Sequence, residues 1–400
     1  MDKISFIMPS RNGKKYLEWA YRGLRKNCSK QHEICMYDDF SNDGTWEWMQ
    51  ETAKKDKNVQ IFRNDGPTRL GHTILYDELI EKATNDIVMI YHNDMYCAKD
   101  MDKEVLRTLK PKTVVSVTRI EPPLHPDGPE KIVMNFGTEP EEFNEERFLK
   151  FADDKGVYNN GNTQGMFAPW AIYKEDFLAI GGHDPLYAPQ SREDSDIFNR
   201  FLLAGYEPIQ TWETFVYHMT CRGSRFNPQI TQVGQASAEW LAHNRKSERN
   251  FTRKWGHMVK VDEKLKPIIP HKYDISFVVN NCTPDLLDAL EPWCSRIYCD
   301  GEIQEYINKE QPNTMYDLTK RVFLFRQNKD VEYVGQILVS FDGRQLTQEK
   351  FQVVVTQLSS ILDQLEDVGE YEFDIFNVEV RALNHFEDKL IVVDKTKKVR

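Results

Sequence analysis

The sequence predicts a two-domain α/β protein, and two observations carry that reading. Over residues 3–94 short apolar runs alternate with amphipathic stretches, the pattern of a parallel sheet built from right-handed crossovers. After a proline-containing stretch at 262–272 (DEKLKPIIPHK) the same pattern restarts. Four hundred residues exceed one ordinary core, and 40% apolar with 12% aromatic residues suffice to fill two.

Taken in order, KISFIMPS reads as a strand, 14–26 as a helix, EICMYDD as a strand, TWEWMQETAKK as a helix, VQIFRN as a strand and TILYDELIEKAT as a helix. The run DIVMIY at 86–91 is apolar throughout, as in a strand buried on both faces. It delivers His92, Asn93 and Asp94 to its carboxyl end, the edge at which open α/β sheets bind ligands. Residues 122–162, rich in Pro, Glu, Asp and Asn, read as a long surface insertion. A strand (GMFAPWAIY), a short helix, the turn GGHDPLY, a helix at 193–204 and a strand at 208–217 follow. Residues 244–256, NRKSERNFTRKWG, spell an amphipathic helix with a charged face. The expected division is 1–262 for the first domain, 263–271 for a linker and 272–400 for a smaller α/β or α+β domain. That second part holds strands at DISFVVNN, RIYCD, VGQILVSFD and YEFDIFNVEVRA. One helix is expected over 351–365, with Phe351, Val354, Val355, Leu358, Ile361, Leu362 and Leu365 as a single apolar stripe.

Charge excludes some functions. The chain carries a net −11, and residues 270–400 hold 15 Lys+Arg against 23 Asp+Glu, which argues against a nucleic-acid partner. No transmembrane segment is expected, because no stretch reaches ~18 uninterrupted apolar residues. The start, MDKISFIMPS, lacks a signal-peptide layout, so a cytoplasmic location is expected. Seven cysteines without a CxxC pair speak against a disulfide framework or a structural metal.

Three strand ends carry polar clusters: Pro9-Ser10-Arg11-Asn12-Gly13, Asp38-Asp39-Phe40-Ser41-Asn42-Asp43-Gly44-Thr45, and His92-Asn93-Asp94. Each alone fits turn residues or a helix cap at Asn42 or Asp43. Gathered at one sheet edge, they point to a ligand site.

The ordered set PSRNGKKYLEWAYRGL, YDDFSNDGT, YHNDM, AIGGHDPLY, SREDSDIFNRFLLAGY and VYH resembles the inverting GT-A glycosyltransferases of family 2 over roughly residues 3–256. The resemblance implies a Rossmann-like GT-A nucleotide-diphospho-sugar transferase domain, a UDP-sugar or other nucleotide-sugar donor, a glycan or other hydroxyl acceptor, and Mn2+ or Mg2+ as cofactor. It assigns Pro9, Ser10, Arg11, Asn12, Asp38, Asp39 and Asn93 to the donor nucleotide, where a carboxylate can accept from a uracil N3–H. The metal-binding DxD motif of the family aligns with His92-Asn93-Asp94, which departs from the pattern at His92. Asp94 and His218 become metal ligands, while His92, Arg222 and Arg225 face the diphosphate. Trp170, Gly182, Asp184 and Glu193 fall on the acceptor side. Asp194 is the expected catalytic base, the aspartate of a Glu-Asp pair at a helix start. Read without the family, Ser191–Asp194 also fits a capping box, and His218 a strand-end histidine. Two other functions compete. A nucleotidyltransferase making nucleotide sugars would need a more glycine-rich first loop than PSRNGKK, and the altered metal motif leaves room for a catalytically silent carbohydrate- or partner-binding protein.

Overall fold

A computed structural model of the chain describes residues 2–154, 161–220, 236–325, 333–393 and 395. The fold divides into two compact units, Met1–His243 with Val261–Pro267 and Asn244–Lys260 with Ile268–Arg400.

The first unit runs β1 (Ile4–Ser10), α1 (Lys14–Asn27), β2 (Glu33–Asp39), α2 (Thr45–Lys55), β3 (Val59–Asn64), α3 (His72–Lys82), β4 (Ile87–Ile90), β5 (Met95–Cys97), α4 (Met101–Thr108), β6 (Thr113–Glu121), β7 (Lys131–Val133), α5 (Glu145–Asp153), β8 (Trp170–Tyr173), α6 (Lys174–Ala179), α7 (Glu193–Leu203) and β9 (Glu207–His218). The long helix α8 (Ala238–Trp255) follows. β1, β2 and β4 are buried along their whole length, which is why their sequences read as continuous apolar runs and not as alternation. The strand order is β3-β2-β1-β4-β8-β6-β9-β5, with β7 beside β6. β3, β2, β1 and β4 are mutually parallel, and β8 enters antiparallel between β4 and β6.

β6, absent from the sequence reading, pairs in parallel with β9 through an irregularity at Val117/Thr118 that bends the ladder. The end of β9 then pairs antiparallel with β5, placing His218 opposite Met95. Most described residues of the expected surface insertion are exposed or half-buried, but a few of its apolar side chains join the core. Phe136, Phe148 and Ala152 are buried with Trp19, Tyr96 and Tyr217, and Phe143 stacks on Tyr217 at 5.3 Å. Its polar residues had masked these aromatic positions, Phe148 on α5 and Phe136 and Phe143 in the stretch before it.

The second unit adds β10 (Ile275–Asn280), α9 (Pro284–Leu290), β11 (Arg296–Cys299), α10 (Ile303–Glu310), β12 (Val322–Leu324), β13 (Ile337–Asp342), α11 (Gln348–Val353), α12 (Leu358–Leu362), β14 (Gly369–Phe373) and β15 (Phe376–Val380). Its order, β12-β11-β10-β13-β15-β14, is parallel over the first four strands and antiparallel thereafter. Chain order 3-2-1-4 followed by an antiparallel strand is also how the first unit begins.

Two expectations change here. The helix over 351–365 is broken: α11 ends at Val353, a 3-10 turn spans Val355–Gln357, and α12 takes over. The β-branched run Val353-Val354-Val355 is the weak point, yet Val355, Leu358 and Leu362 still face the core, with Phe351 and Val354 packed against it. The expected helix of 244–256 forms within α8, but its place in the domain division differs. From Asn244 onward α8 belongs to the second unit, and Arg253 is fully buried there between Glu291 and Glu310. The division therefore differs from the expected boundary at 262.

Candidate active site

The carboxyl ends of β1, β2 and β4 meet as the alternation requires. Ser10 Oγ accepts from Asn93 Nδ2 at 2.8 Å, tying β4 to β1. The loops after β1 and β2 clasp each other: Asn12 N donates to Ser41 Oγ, Asn42 N to Asn12 Oδ1 and Lys14 N to Asp43 Oδ2, all within 3.0 Å. Asn12 takes the left-handed φ of 49° needed to make that turn. Pro9 is buried in β1, and Arg11 lies exposed with its guanidinium 4.0 Å from Glu239.

The two aspartates that end β2 do different work. Asp39 is saturated: it accepts from Leu70 N, Gly71 N and Asn64 Nδ2 and so holds the 64–71 loop. Asp38 is fully buried, and burial raises its carboxyl above the usual range. Its Oδ2 has no hydrogen bond among the described residues, with Arg63 Nε 3.3 Å away. The open acceptor thus belongs to Asp38.

His92, Asp94 and His218 converge. One donor atom from each lies within 4.8 Å of the others. The pairing of β5 with β9 builds this cluster, and Met219 N donating to Asp94 O at 3.0 Å completes it. His218 Nε2 stands 3.4 Å from Asp94 Oδ1, while its Nδ1 meets Glu121 Oε1 at 2.7 Å. Burial works against a charged His218, but Asp94 and Glu121 outweigh it and raise the imidazole to about 9. Burial likewise pushes Asp94 up, and His218 and His92 more than reverse it, leaving the carboxyl below its ordinary value. Glu121 is held in turn by Lys131 Nζ at 2.8 Å and Arg119 at 3.5 Å. A histidine whose second nitrogen is fixed by a carboxylate is the arrangement that presents the first to a cation, so the donor set fits a divalent ion.

Glu193 and Asp194 open α7. Ser191 and Arg192 precede them at φ 77° and 69°, two successive non-glycine residues in the left-handed region. Such strain concentrates where geometry serves function. The capping box is not formed: the cap residue is Arg192, without a side-chain cap bond. Glu193 is buried with Oε2 lacking a hydrogen bond, and burial together with the neighbouring Asp194 raises it to about 8. Asp194 is half-buried and close enough to His92 to act on it electrostatically.

Gly71 connects these parts. At φ 80° its N–H reaches Asp39 Oδ2, and the position of a Cβ lies 2.2 Å from Pro189 O, in the loop that leads to Ser191. Arg69 beside it donates to Gln190 Oε1 at 2.5 Å and stands 3.7 Å from Asp39.

Three acceptor-side expectations fare differently from the rest. Trp170 is fully buried among Phe177, Phe198 and Phe201. Gly182 is buried in a turn whose carbonyl accepts from Arg200. Asp184 caps the short 3-10 turn at 185–187 through Leu186 N. Arg222 and Arg225 lie outside the described residues. Sequence reasoning missed Glu121 and Arg69; the signal for Glu121 was a carboxylate at the carboxyl end of an apolar run, TVVSVTRIE.

Residues 5–177 match the profile of glycosyl transferase family 2. That part of the chain is similar to family 2 glycosyltransferases. An uncharacterized glycosyltransferase of Haemophilus influenzae is 30% identical over 100 residues, 25% of this chain and 39% of that protein, so the match spans well under half of the relative. Among solved structures, GalNAc-T7 with UDP, GalNAc and Mn2+ is 15% identical at a TM-score of 0.46, covering 64% of this chain and 48% of that one. The mannosyltransferase PcManGT from Pyrobaculum calidifontis, in complex with GDP-Man and Mn2+, is also 15% identical, at a TM-score of 0.42 and 63% coverage of each chain. The family match takes in all three strand-end clusters, and Glu193, Asp194 and His218 follow beyond its end. No described helix is long and apolar enough to cross a membrane.

Proposed function

We propose that the protein moves a sugar from a nucleotide-diphosphate donor, a UDP-sugar, to an acceptor hydroxyl with inversion, as a hexosyltransferase assisted by a divalent cation. The observation that carries this is the convergence of His92, Asp94 and His218 at the strand edge, with Asp194 on the strained rim beside them. Asp94 and His218, with His92 moved from the expected diphosphate role into the ligand set, would hold the ion, which would supply charge neutralisation for a departing diphosphate. Two imidazoles beside one carboxylate favour Mn2+ over the harder Mg2+.

The other roles belong to side chains. Asp38, with its open oxygen, accepts from the base N–H, and Asp39 fixes the loop that borders it. The Ser10–Asn93 bond holds the floor. Asp194, in the first turn of α7, takes the acceptor hydroxyl's proton. Glu193, protonated at neutral pH, adds no second charge beside it.

Calorimetric titration of UDP with and without Mn2+ tests the reading. Wild type is expected to bind UDP more tightly with Mn2+, and Asp94→Ala to lose that gain while remaining folded. Undiminished donor binding and turnover in a chelator would overturn it.

A further inference from the structure

In the second unit, residues just after the expected linker run beside a segment near the C-terminus. Tyr273 and His385 form an antiparallel bridge, and Phe386 N donates to Lys272 O at 3.1 Å. This pairing stacks the rings of His271 and His385 at 4.1 Å and 20°. Both rings turn a nitrogen toward one oxygen, Glu387 Oε1: His385 Nδ1 at 3.0 Å and His271 Nε2 at 3.8 Å. One donor atom from each of the three residues lies within 4.8 Å of the other two.

The surroundings hold these groups in place. The Glu387 side chain is 8% exposed, and its other oxygen accepts from Lys272 N at 3.3 Å. His271 Nδ1 meets Asp363 Oδ1 at 2.9 Å, and Tyr273 Oη donates to the same oxygen at 2.7 Å. Asp363 thus fixes the ring and its tautomer and leaves Nε2 for a ligand, as carboxylates do behind metal-bound histidines. Both imidazoles are 46% exposed, so water can fill the remaining positions.

We propose that His271, His385 and Glu387 form a second divalent-metal site, one that takes a borderline ion of the Zn2+ class. Two imidazole nitrogens and one carboxylate oxygen with open positions make a donor set suited to such ions and poor for Mg2+ or Ca2+. The ion would clip 271–273 to 385–387 and stabilise the second unit by binding only its folded form. Nothing in this site depends on the sugar-transfer reading.

Co2+ replaces Zn2+ in such sites and absorbs visibly when bound to nitrogen ligands, so it counts them directly. Titrating untagged full-length protein with Co2+, we expect His385→Ala and His271→Ala each to take up one equivalent fewer than wild type. Both side chains are exposed enough for the variants to fold, and circular dichroism checks that they do. Zn2+ should raise the melting temperature of Asp94→Asn, in which the first site is crippled, and should no longer do so once His385→Ala is added. Equal Co2+ uptake by wild type and both histidine variants would overturn the proposal, as would a Zn2+ shift that survives His385→Ala.

Discussion

Replacing Gly71 with alanine is expected to impair donor binding far beyond the size of one methyl group. Gly71 has φ 80° and ψ 172°, a region essentially closed to L-residues, where a side chain incurs roughly 1–3 kcal/mol of backbone strain. The added Cβ would also meet Pro189 O at 2.2 Å and Pro189 Cβ at 2.3 Å, distances that backbone atoms cannot accommodate without moving. Relief by shifting Gly71 breaks its bond to Asp39 Oδ2, and a hydrogen bond to a charged group is worth about 1.5–3 kcal/mol. Relief by shifting Pro189 displaces the strained entry to Glu193 and Asp194. By the first route the sum is about 2.5–6 kcal/mol of lost stability. Gly205→Ala is the control, because its φ is 77° but nothing lies within 4 Å of its Cβ position, so only the backbone term of ~1–2 kcal/mol applies. Urea denaturation of both variants, with UDP affinity measured on each, separates the two. Equal destabilisation, or unchanged UDP affinity in Gly71→Ala, would refute the claim that this glycine couples the Asp39 loop to the Asp194 rim.

Three further outcomes are expected. Because the folded-state value of Glu193 is raised from 4.5 to about 8, its contribution to stability is full below the ordinary carboxylate range and is lost as pH rises toward 8, at up to ~1.4 kcal/mol per pH unit; Glu193→Gln should flatten that part of the stability–pH curve, and an unchanged slope would count against a protonated Glu193. Glu121→Gln should weaken Mn2+ affinity by roughly 10–100-fold while leaving all three ligands in place, read by calorimetry, and wild-type affinity would show that Glu121 does not orient His218. Glu291→Ala should destabilise the second unit by about 3–5 kcal/mol in denaturant unfolding, since it leaves the fully buried Arg253 and the largely buried Arg321 short of their shared carboxylate; a loss under 1 kcal/mol would mean that the cluster is hydrated.

The alternation of the first 94 residues was legible because parallel strands buried on both faces leave uninterrupted apolar runs between amphipathic helices. β6 was not, although TVVSVTRIE is apolar enough, since its partner β9 lies almost a hundred residues away and nothing local marks the pairing. That same pairing brings Glu121 beside His218. His92 and Asp94 were visible as a strand end, but their union with His218 and Glu121 depends on the β5–β9 register. The 122–162 segment misled because its polar residues outnumber the aromatics that fill the core around Tyr217. Asp39 drew attention as the second of two acids, whereas only the fold distinguishes the saturated Asp39 from Asp38 with its open oxygen. The likeness between the strand orders of the two units is topological and left only an echo in sequence, DISFVVNN after KISFIMPS.

The central claim is that Asp194 is the base, and one substitution addresses it. Asp194→Asn keeps the size of the side chain but accepts no proton at neutral pH, and α7 has no side-chain cap there to lose. Transfer rate, UDP affinity and melting temperature should be measured on this one variant. The account predicts wild-type melting and UDP affinity with transfer reduced by roughly 10²–10⁴-fold, the usual worth of general base catalysis. A transfer rate near that of wild type, with fold and donor binding intact, would contradict it.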